Sequence, residues 1–157
     1  MIGRDREYAE NVKSAMLASP ADAPYFASVA QYPTAVWLDS MKKVNNIQGH
    51  LDDAATQAGG KAILVQFVIY DLPGRDCSAW SSNGDIPKGS LDTYKTKYID
   101  AAVSRLKKNV RLSLVIEPDS LPNIATNMGR NRCDATTEQE YTEGVAHLKN
   151  VGSISGR

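Results

Sequence analysis

The sequence lacks any long apolar run. No window approaches the roughly 18 consecutive apolar residues that a helix needs to span a bilayer, so we expect no membrane insertion. The segment 1–8 is charged and has no apolar signal core, so the sequence as given carries no secretion signal. Either such a signal lies upstream of a fragment, or the product stays inside the cell.

The sequence also lacks net charge. It has 18 basic and 18 acidic residues, which balance to a formal charge of zero. A chain without excess charge has no long-range field that would steer it to nucleic acid or to anionic lipid. A neutral polymer such as a polysaccharide is compatible with this balance, as are most other partners.

Residues that bind metals or act as nucleophiles are scarce. His50 and His147 are isolated, with no second ligand at metal spacing, and no phosphate-binding glycine loop or Gly-x-Ser-x-Gly elbow is present. We therefore predict no metal and no cofactor. The two cysteines, Cys77 and Cys133, are either a disulfide or two buried free thiols. A thiol enzyme would need a short-spaced pair or an adjacent base, and neither is visible.

What is present is an alternation of helix and strand patterns. The 42% apolar content is that of one globular domain. Helical periodicity predicts helices over 4–17, 46–58, 90–108 and 137–149, with a short one starting at 119 or 120, and β-branched runs predict strands over 33–39, 61–72 and 110–116. This order predicts an α/β fold with parallel strands. Three strands do not close a barrel, which generally needs about 250 residues, so we expect a partial, truncated (β/α) barrel.

Two aspartates, Asp76 and Asp119, each follow a strand pattern. Strand ends are where α/β folds collect their chemistry, and two carboxyl groups meeting there are the minimum that hydrolysis of a glycosidic bond requires. An acid that donates a proton needs a raised pKa, and we assign that role to Asp119 with Asp76 as the negative neighbour. Arg75 or loop amides would hold the charge of Asp76. The alternative is that Asp119 only caps the following helix. Glu117 would point to the same face as Asp119 and share the site or pair with Arg75.

The residue order around each aspartate adds to this pattern. Residues 70–84 (YDLPGRDCSAWSSNG) and 115–127 (VIEPDSLPNIATN) resemble the two signature motifs of glycoside hydrolase family 6, the inverting cellulases. The resemblance extends from about residue 4 to about residue 154. It implies that Asp119 is the proton donor, that Asp76 tunes its pKa, and that Cys77 and Cys133 form a disulfide.

The same resemblance assigns supporting residues. Tyr70 corresponds to a tyrosine beneath the sugar being cleaved, and Ser82 to a serine that helps place the attacking water. Trp37 and Asp39 resemble substrate contacts of the family. From the residues alone, Tyr70 and Trp37 could equally be core aromatics and Ser82 a turn residue.

The family domain is about twice as long as this chain. Residues 1–157 then correspond to the N-terminal portion of one catalytic domain, and the strands and the catalytic base of the C-terminal half are missing. The resemblance implies a secreted hydrolase whose partners are β-1,4-glucan and a missing C-terminal half. The alternative is a truncated, non-catalytic relic that at most binds sugar. The chain departs from the family at Asp85, where glutamate is usual, and at Trp80, where a small residue is usual.

Overall fold

Three parallel strands organise the chain. The computed structural model describes residues 6–79, 84–106 and 111–155. The strands are β1 (Val36–Leu38), β2 (Leu64–Ile69) and β3 (Arg111–Ile116), paired in the order β1-β2-β3. Both pairs are parallel, which confirms the predicted α/β class.

Helices connect the strands and follow the last of them. They are α1 (Arg6–Ala18), α2 (Ala23–Val29), α3 (Met41–Asn45), α4 (Ile47–Ala58), α5 (Leu91–Thr93), α6 (Asp100–Arg105), α7 (Ser120–Asn127) and α8 (Ala135–Ser155). A 3₁₀ turn, Pro20–Asp22, precedes α2, and a π-helical segment, Tyr94–Ile99, joins α5 to α6. None of the helices in the described ranges is long and apolar enough to cross a membrane.

Several boundaries differ from the sequence-based expectation. The predicted end of α1 before Pro20 is confirmed, but Pro20 and Pro24 also lie in the first turns of two unpredicted segments. Proline fits a first helical turn because its missing N–H has no partner there. The predicted stop of α4 at Gly59 is confirmed, since this glycine has a φ of 53°.

The helix-covered face of the sheet forms the core. Val36 pairs in register with Phe67, and Leu38 with Ile69, so their side chains lie on one face. All four are buried in one cluster with residues of α4 such as Ile47. This packing fixes β1 and β2 and therefore the edge of the sheet at which they end.

The third strand is less covered. Leu114, Val115 and Ile116 are 37%, 44% and 38% exposed, although a strand inside a parallel sheet is normally buried on both faces. No further strand pairs with β3 among the described residues. The expectation of a partial barrel is thus confirmed by an open edge at β3.

Candidate active site

The strand ends bring the predicted carboxyl groups to one edge. Leu38, Ile69 and Ile116 are in register, so the three strands end side by side. Beyond that edge, Asp76 and Asp119 line the same open cleft, which has a volume of about 570 Å³. The structure thus places the two aspartates together, as the two motifs predict.

Asp119 is exposed and lines this cleft. It occupies the N-cap position of α7, yet its side chain makes no capping hydrogen bond. Its backbone carbonyl accepts the N–H of Asn123 at 2.9 Å, so the start of the helix fixes its main chain. The alternative that Asp119 serves as a helix cap through its carboxylate is therefore wrong.

Asp76 lies on a strained backbone. Its φ is 52°, in the left-handed region that residues with a Cβ rarely adopt. Its side chain is buried and accepts a short hydrogen bond from the hydroxyl of Tyr70. A tight turn follows, in which the N–H of Ala79 donates to the carbonyl of Asp76 at 2.7 Å. Strain of this kind persists where the surroundings impose it, and it clusters at functional sites.

Arg75 supports the floor of the cleft. Its guanidinium lies 4.3 Å from the centroid of the Tyr70 ring and donates to the carbonyl of Asp39 at 3.0 Å. It also donates to the carbonyl of Tyr70 and forms an ion pair with Asp71 at 3.8 Å. Arg75 therefore holds Tyr70 in place. Its ion pair is with the carboxylate of Asp71.

Trp37 and Asp39 lie at the end of β1. The indole of Trp37 is 41% exposed and packs edge-on against the ring of Tyr70, with centroids 5.4 Å apart. The alternative of a core aromatic is therefore wrong for Trp37, whereas Tyr70 is buried. Asp39 forms an ion pair with Lys43 at 3.1 Å. An exposed indole beside the cleft is a surface on which a sugar ring can stack.

A disulfide crosses from the Asp76 loop to the segment before α8. Cys77 and Cys133 are bonded with an S–S distance of 2.00 Å, which confirms the predicted pair. The hypothesis of a thiol enzyme is wrong, because both cysteines are in this bond. Ser82, predicted to place the attacking water, and Trp80 lie outside the described residues.

Glu117 does not join the cleft, contrary to the strand-based expectation. Its φ of 46° ends the alternation of β3, and its side chain is buried. There the carboxylate accepts the N–H of Asp71 at 2.9 Å and the hydroxyl of Tyr94 at 3.0 Å. Alternation of faces applies only while the backbone stays extended, so the expectation failed at the turn.

The structure adds a buried carboxyl pair, of which sequence reasoning missed one member and misplaced the other. Asp71 and Glu117 are both 0% exposed. Burial raises the pKa of Asp71 to about 7 and that of Glu117 to about 7, against hydrogen bonds that lower both. The sequence did contain a signal for this pair, because both carboxyl groups lie just after an apolar strand. Glu117 directly follows the last residue of β3, and Asp71 lies two residues after the last residue of β2.

No metal centre accompanies these groups. Within the described ranges, no cluster of three or more metal-ligating side chains occurs. A larger cavity of about 970 Å³, lined by α1, α3 and α4, carries mixed charges and none of the predicted site residues. The 570 Å³ cleft is thus the better candidate site, since it collects the strand-end chemistry.

An aspartate pair and an exposed indole at the carboxyl edge of a parallel sheet define an α/β domain of the glycoside hydrolase type. The chain belongs to the glycosyl hydrolases family 6, whose sequence model matches residues 3–151. It is 41% identical over 146 residues to exoglucanase 3 of Agaricus bisporus. It is 37% identical over 144 residues to a 1,4-β-D-glucan cellobiohydrolase of Podospora anserina.

The coverage of these relatives is unequal. The alignments cover 89% and 90% of this chain but only 32% and 35% of the two relatives. A solved family catalytic domain, in complex with p-nitrophenyl β-D-cellotrioside, superposes with a TM-score of 0.88 at 37% identity. That match covers 99% of this chain and 45% of the solved domain. The chain therefore spans about a third of these curated relatives and under half of the catalytic domain.

Proposed function

We propose that this chain is the acid-bearing part of an enzyme that hydrolyses β-1,4-glucan with inversion. The observation that carries the proposal is that Asp119 and Asp76 line one cleft, with the Asp119 carboxylate not used as a helix cap. The relatives are named as exoglucanases and as a 1,4-β-D-glucan cellobiohydrolase, which supports the substrate class.

The proposed chemistry assigns one task to each group. Asp119 donates its proton to the glycosidic oxygen as the bond breaks, while a water attacks the anomeric carbon from the opposite face. Asp76 is the acidic neighbour that assists Asp119 in this role. The hydroxyl of Tyr70 donates to Asp76 and keeps that carboxylate in place. Trp37 stacks against a neighbouring sugar ring.

The remainder of the machinery would come from a C-terminal half. Catalytic residues of such barrels come from the ends of several strands, and the described part of this chain supplies three strands. We propose that the other half brings the base and the opposite wall of the cleft, and that the whole enzyme acts outside the cell on cellulose or cello-oligosaccharides.

The second candidate function is sugar binding without catalysis. The exposed indole of Trp37 and the open edge at β3 favour it for this chain alone, because both are surface features that need no complete site.

The test uses a joined enzyme, in which this chain continues into the C-terminal half of a family 6 relative, and compares it with two variants on cello-oligosaccharides. Asp119→Asn removes the proton donor, and Asp92→Asn changes an exposed aspartate that does not line the cleft. We expect Asp119→Asn to lower the hydrolysis rate by roughly 100-fold or more and Asp92→Asn to leave it unchanged. The first product from a β-linked substrate should be the α-anomer, which polarimetry detects.

Two outcomes would decide against the proposal. Equal background rates for the joined enzyme and for its Asp119→Asn variant would remove the enzymatic role of this polypeptide. Binding of cello-oligosaccharide at the Trp37 indole, lost in Trp37→Ala but without hydrolysis, would instead establish the second candidate.

A further inference from the structure

We propose that Glu117 is a positioning residue that fixes the strand end bearing Asp119 against the strand end bearing Tyr70 and Asp76. The proposal rests on the proposed function for its catalytic consequence. Its structural part concerns a buried carboxyl group that the proposed reaction does not use, and that part can be tested without any hydrolysis.

The contacts of Glu117 join three separate elements. Its Oε1 accepts the backbone N–H of Asp71, at 2.9 Å, directly after Tyr70. The same oxygen accepts the hydroxyl of Tyr94 at 3.0 Å, from the π-helical segment that packs under the sheet. Its Oε2 accepts the hydroxyl of Ser120 at 3.2 Å, directly after Asp119. One side chain therefore contacts the neighbours of both cleft motifs.

The backbone of Glu117 serves the same arrangement. Its N–H donates to the carbonyl of Ile69 at 2.8 Å and so extends the ladder between β2 and β3 by one step. Its φ of 46° then turns the chain, which sends its side chain into the core. A left-handed conformation at a residue with a Cβ is unfavourable, and it persists only where other contacts impose it. The three accepted hydrogen bonds are such contacts.

A carboxyl group suits this position better than an apolar side chain of equal length. Two oxygens accept from three donors, and each donor would otherwise be buried without a partner. An orphaned buried donor destabilises its surroundings and is free to move towards water. Loss of the carboxyl should therefore release Asp71 and Ser120, and with them the two aspartates of the cleft.

The experiment uses three variants of the chain. Glu117→Met has similar length and no oxygen acceptor, whereas Glu117→Gln retains one acceptor oxygen and the shape. Glu140→Met is the matched control, because Glu140 is also a buried glutamate that accepts a backbone N–H, from Gly89 at 2.9 Å, but it does not line the cleft.

The first readout is the amide NMR spectrum in the absence of substrate. We expect Glu117→Met to shift the amide signals of Asp76 and Asp119 together. Glu117→Gln should return both signals most of the way to their wild-type positions. Glu140→Met should leave both signals in place even if it lowers stability. Should Glu117→Met fail to fold, Ser120→Ala removes only the Oε2 contact and should shift the Asp119 signal alone.

The second readout is kinetic. A misplaced catalytic group lowers the rate of the chemical step, and a displacement of about 1 Å can lower it roughly 100-fold. In the joined enzyme we expect Glu117→Met to lower kcat by about that factor with KM little changed. Glu117→Gln should have a kcat at least roughly tenfold above that of Glu117→Met.

The two proposals fail in different ways. Cleft amides that stay in place in Glu117→Met, or that move equally in Glu140→Met, would overturn the positioning role whatever the activity. In the event that Glu117→Met does not fold, an unmoved Asp119 signal in Ser120→Ala would overturn it. A joined enzyme without hydrolysis would instead overturn the proposed function, while the amide shifts would still decide the role of Glu117.

Discussion

Four carboxyl groups follow the ends of β2 and β3, and they form two contrasting pairs. Asp76 and Asp119 line the open cleft, whereas Asp71 and Glu117 are completely buried. Each motif contributes one group to each pair. The groups differ in location because the chain turns between them, with left-handed residues at Asp76 and Glu117.

The contrast shows how one short motif can serve two purposes. The buried carboxyls accept hydrogen bonds from the main chain, as Asp71 does from the N–H of Asp85 at 3.1 Å. Gly84 leaves room for this contact, since a Cβ there would lie 2.3 Å from Asp71 Oδ1. The core pair thus shapes the loops, and the other pair lines the cleft, where the proposed chemistry would take place. Three predictions test this division.

Removal of the disulfide should give the largest effect, and it acts on the cleft side. The bond joins Cys77, next to Asp76, to Cys133 across 56 residues of sequence. Loop-closure entropy for a loop of this length predicts that the double variant Cys77→Ala/Cys133→Ala loses about 4 kcal/mol of unfolding free energy. Urea denaturation measures that loss.

Hydrogen exchange in the same variant separates the two pairs. We expect the N–H of Ala79, bonded to Asp76, to exchange faster relative to wild type than the N–H of Asp71, bonded to Glu117. Earlier loss of protection at Asp71 would show that the disulfide supports the core pair instead.

The pH dependence of stability tests the core side and should be the next largest effect. The folded state holds the pKa of Asp71 at about 7 and of Glu117 at about 7, above their ordinary values of 3.8 and 4.5. Between about pH 4 and 7 the folded protein therefore keeps protons that the unfolded chain releases. The free energy of unfolding should fall as pH rises through this window and level off above pH 7.

Variants identify the groups responsible for that slope. Asp71→Asn and Glu117→Gln should each flatten it. Asp134→Asn is the control, because the hydrogen bond from Lys88 lowers the pKa of Asp134 to about 2, so its contribution is lost only below about pH 4. A free energy of unfolding that is flat or rising between pH 4.5 and pH 7 would contradict the assignment of buried, proton-holding carboxyls.

The sequence predicts the main elements and the cleft well, for physical reasons. Apolar runs specify β2 and β3 closely, since parallel strands pair and bury such residues, and the register then brings Asp76 and Asp119 to one edge. The cysteine pairing was open from the residues and came from the family resemblance. The strands thus follow from local sequence patterns, and the cysteine pairing follows from a motif shared with the family.

The core carboxyls could not be predicted in the same way. The expectation for Glu117 assumed an extended backbone. Its left-handed turn depends on contacts with Asp71 and Tyr94, from distant parts of the chain, as well as on the nearby Ser120. The ion pair of Arg75 with Asp71 likewise depends on how a loop folds back on a strand end. Side-chain direction after a strand is a tertiary property, and periodicity does not contain it.

Two buried tyrosines give the finest test of the comparison, with the smallest expected effects. The hydroxyl of Tyr70 faces the cleft pair and donates to Asp76. That of Tyr98 lies in the core, where it accepts the N–H of Tyr70 at 3.0 Å and donates to the carbonyl of Leu38. Tyr98→Phe leaves two buried backbone groups without this partner and should lose about 2 kcal/mol of unfolding free energy, whereas Tyr70→Phe should lose about 1 kcal/mol. Equal losses in urea denaturation, or a larger loss for Tyr70→Phe, would mean that the cleft side contributes as much to stability as the core.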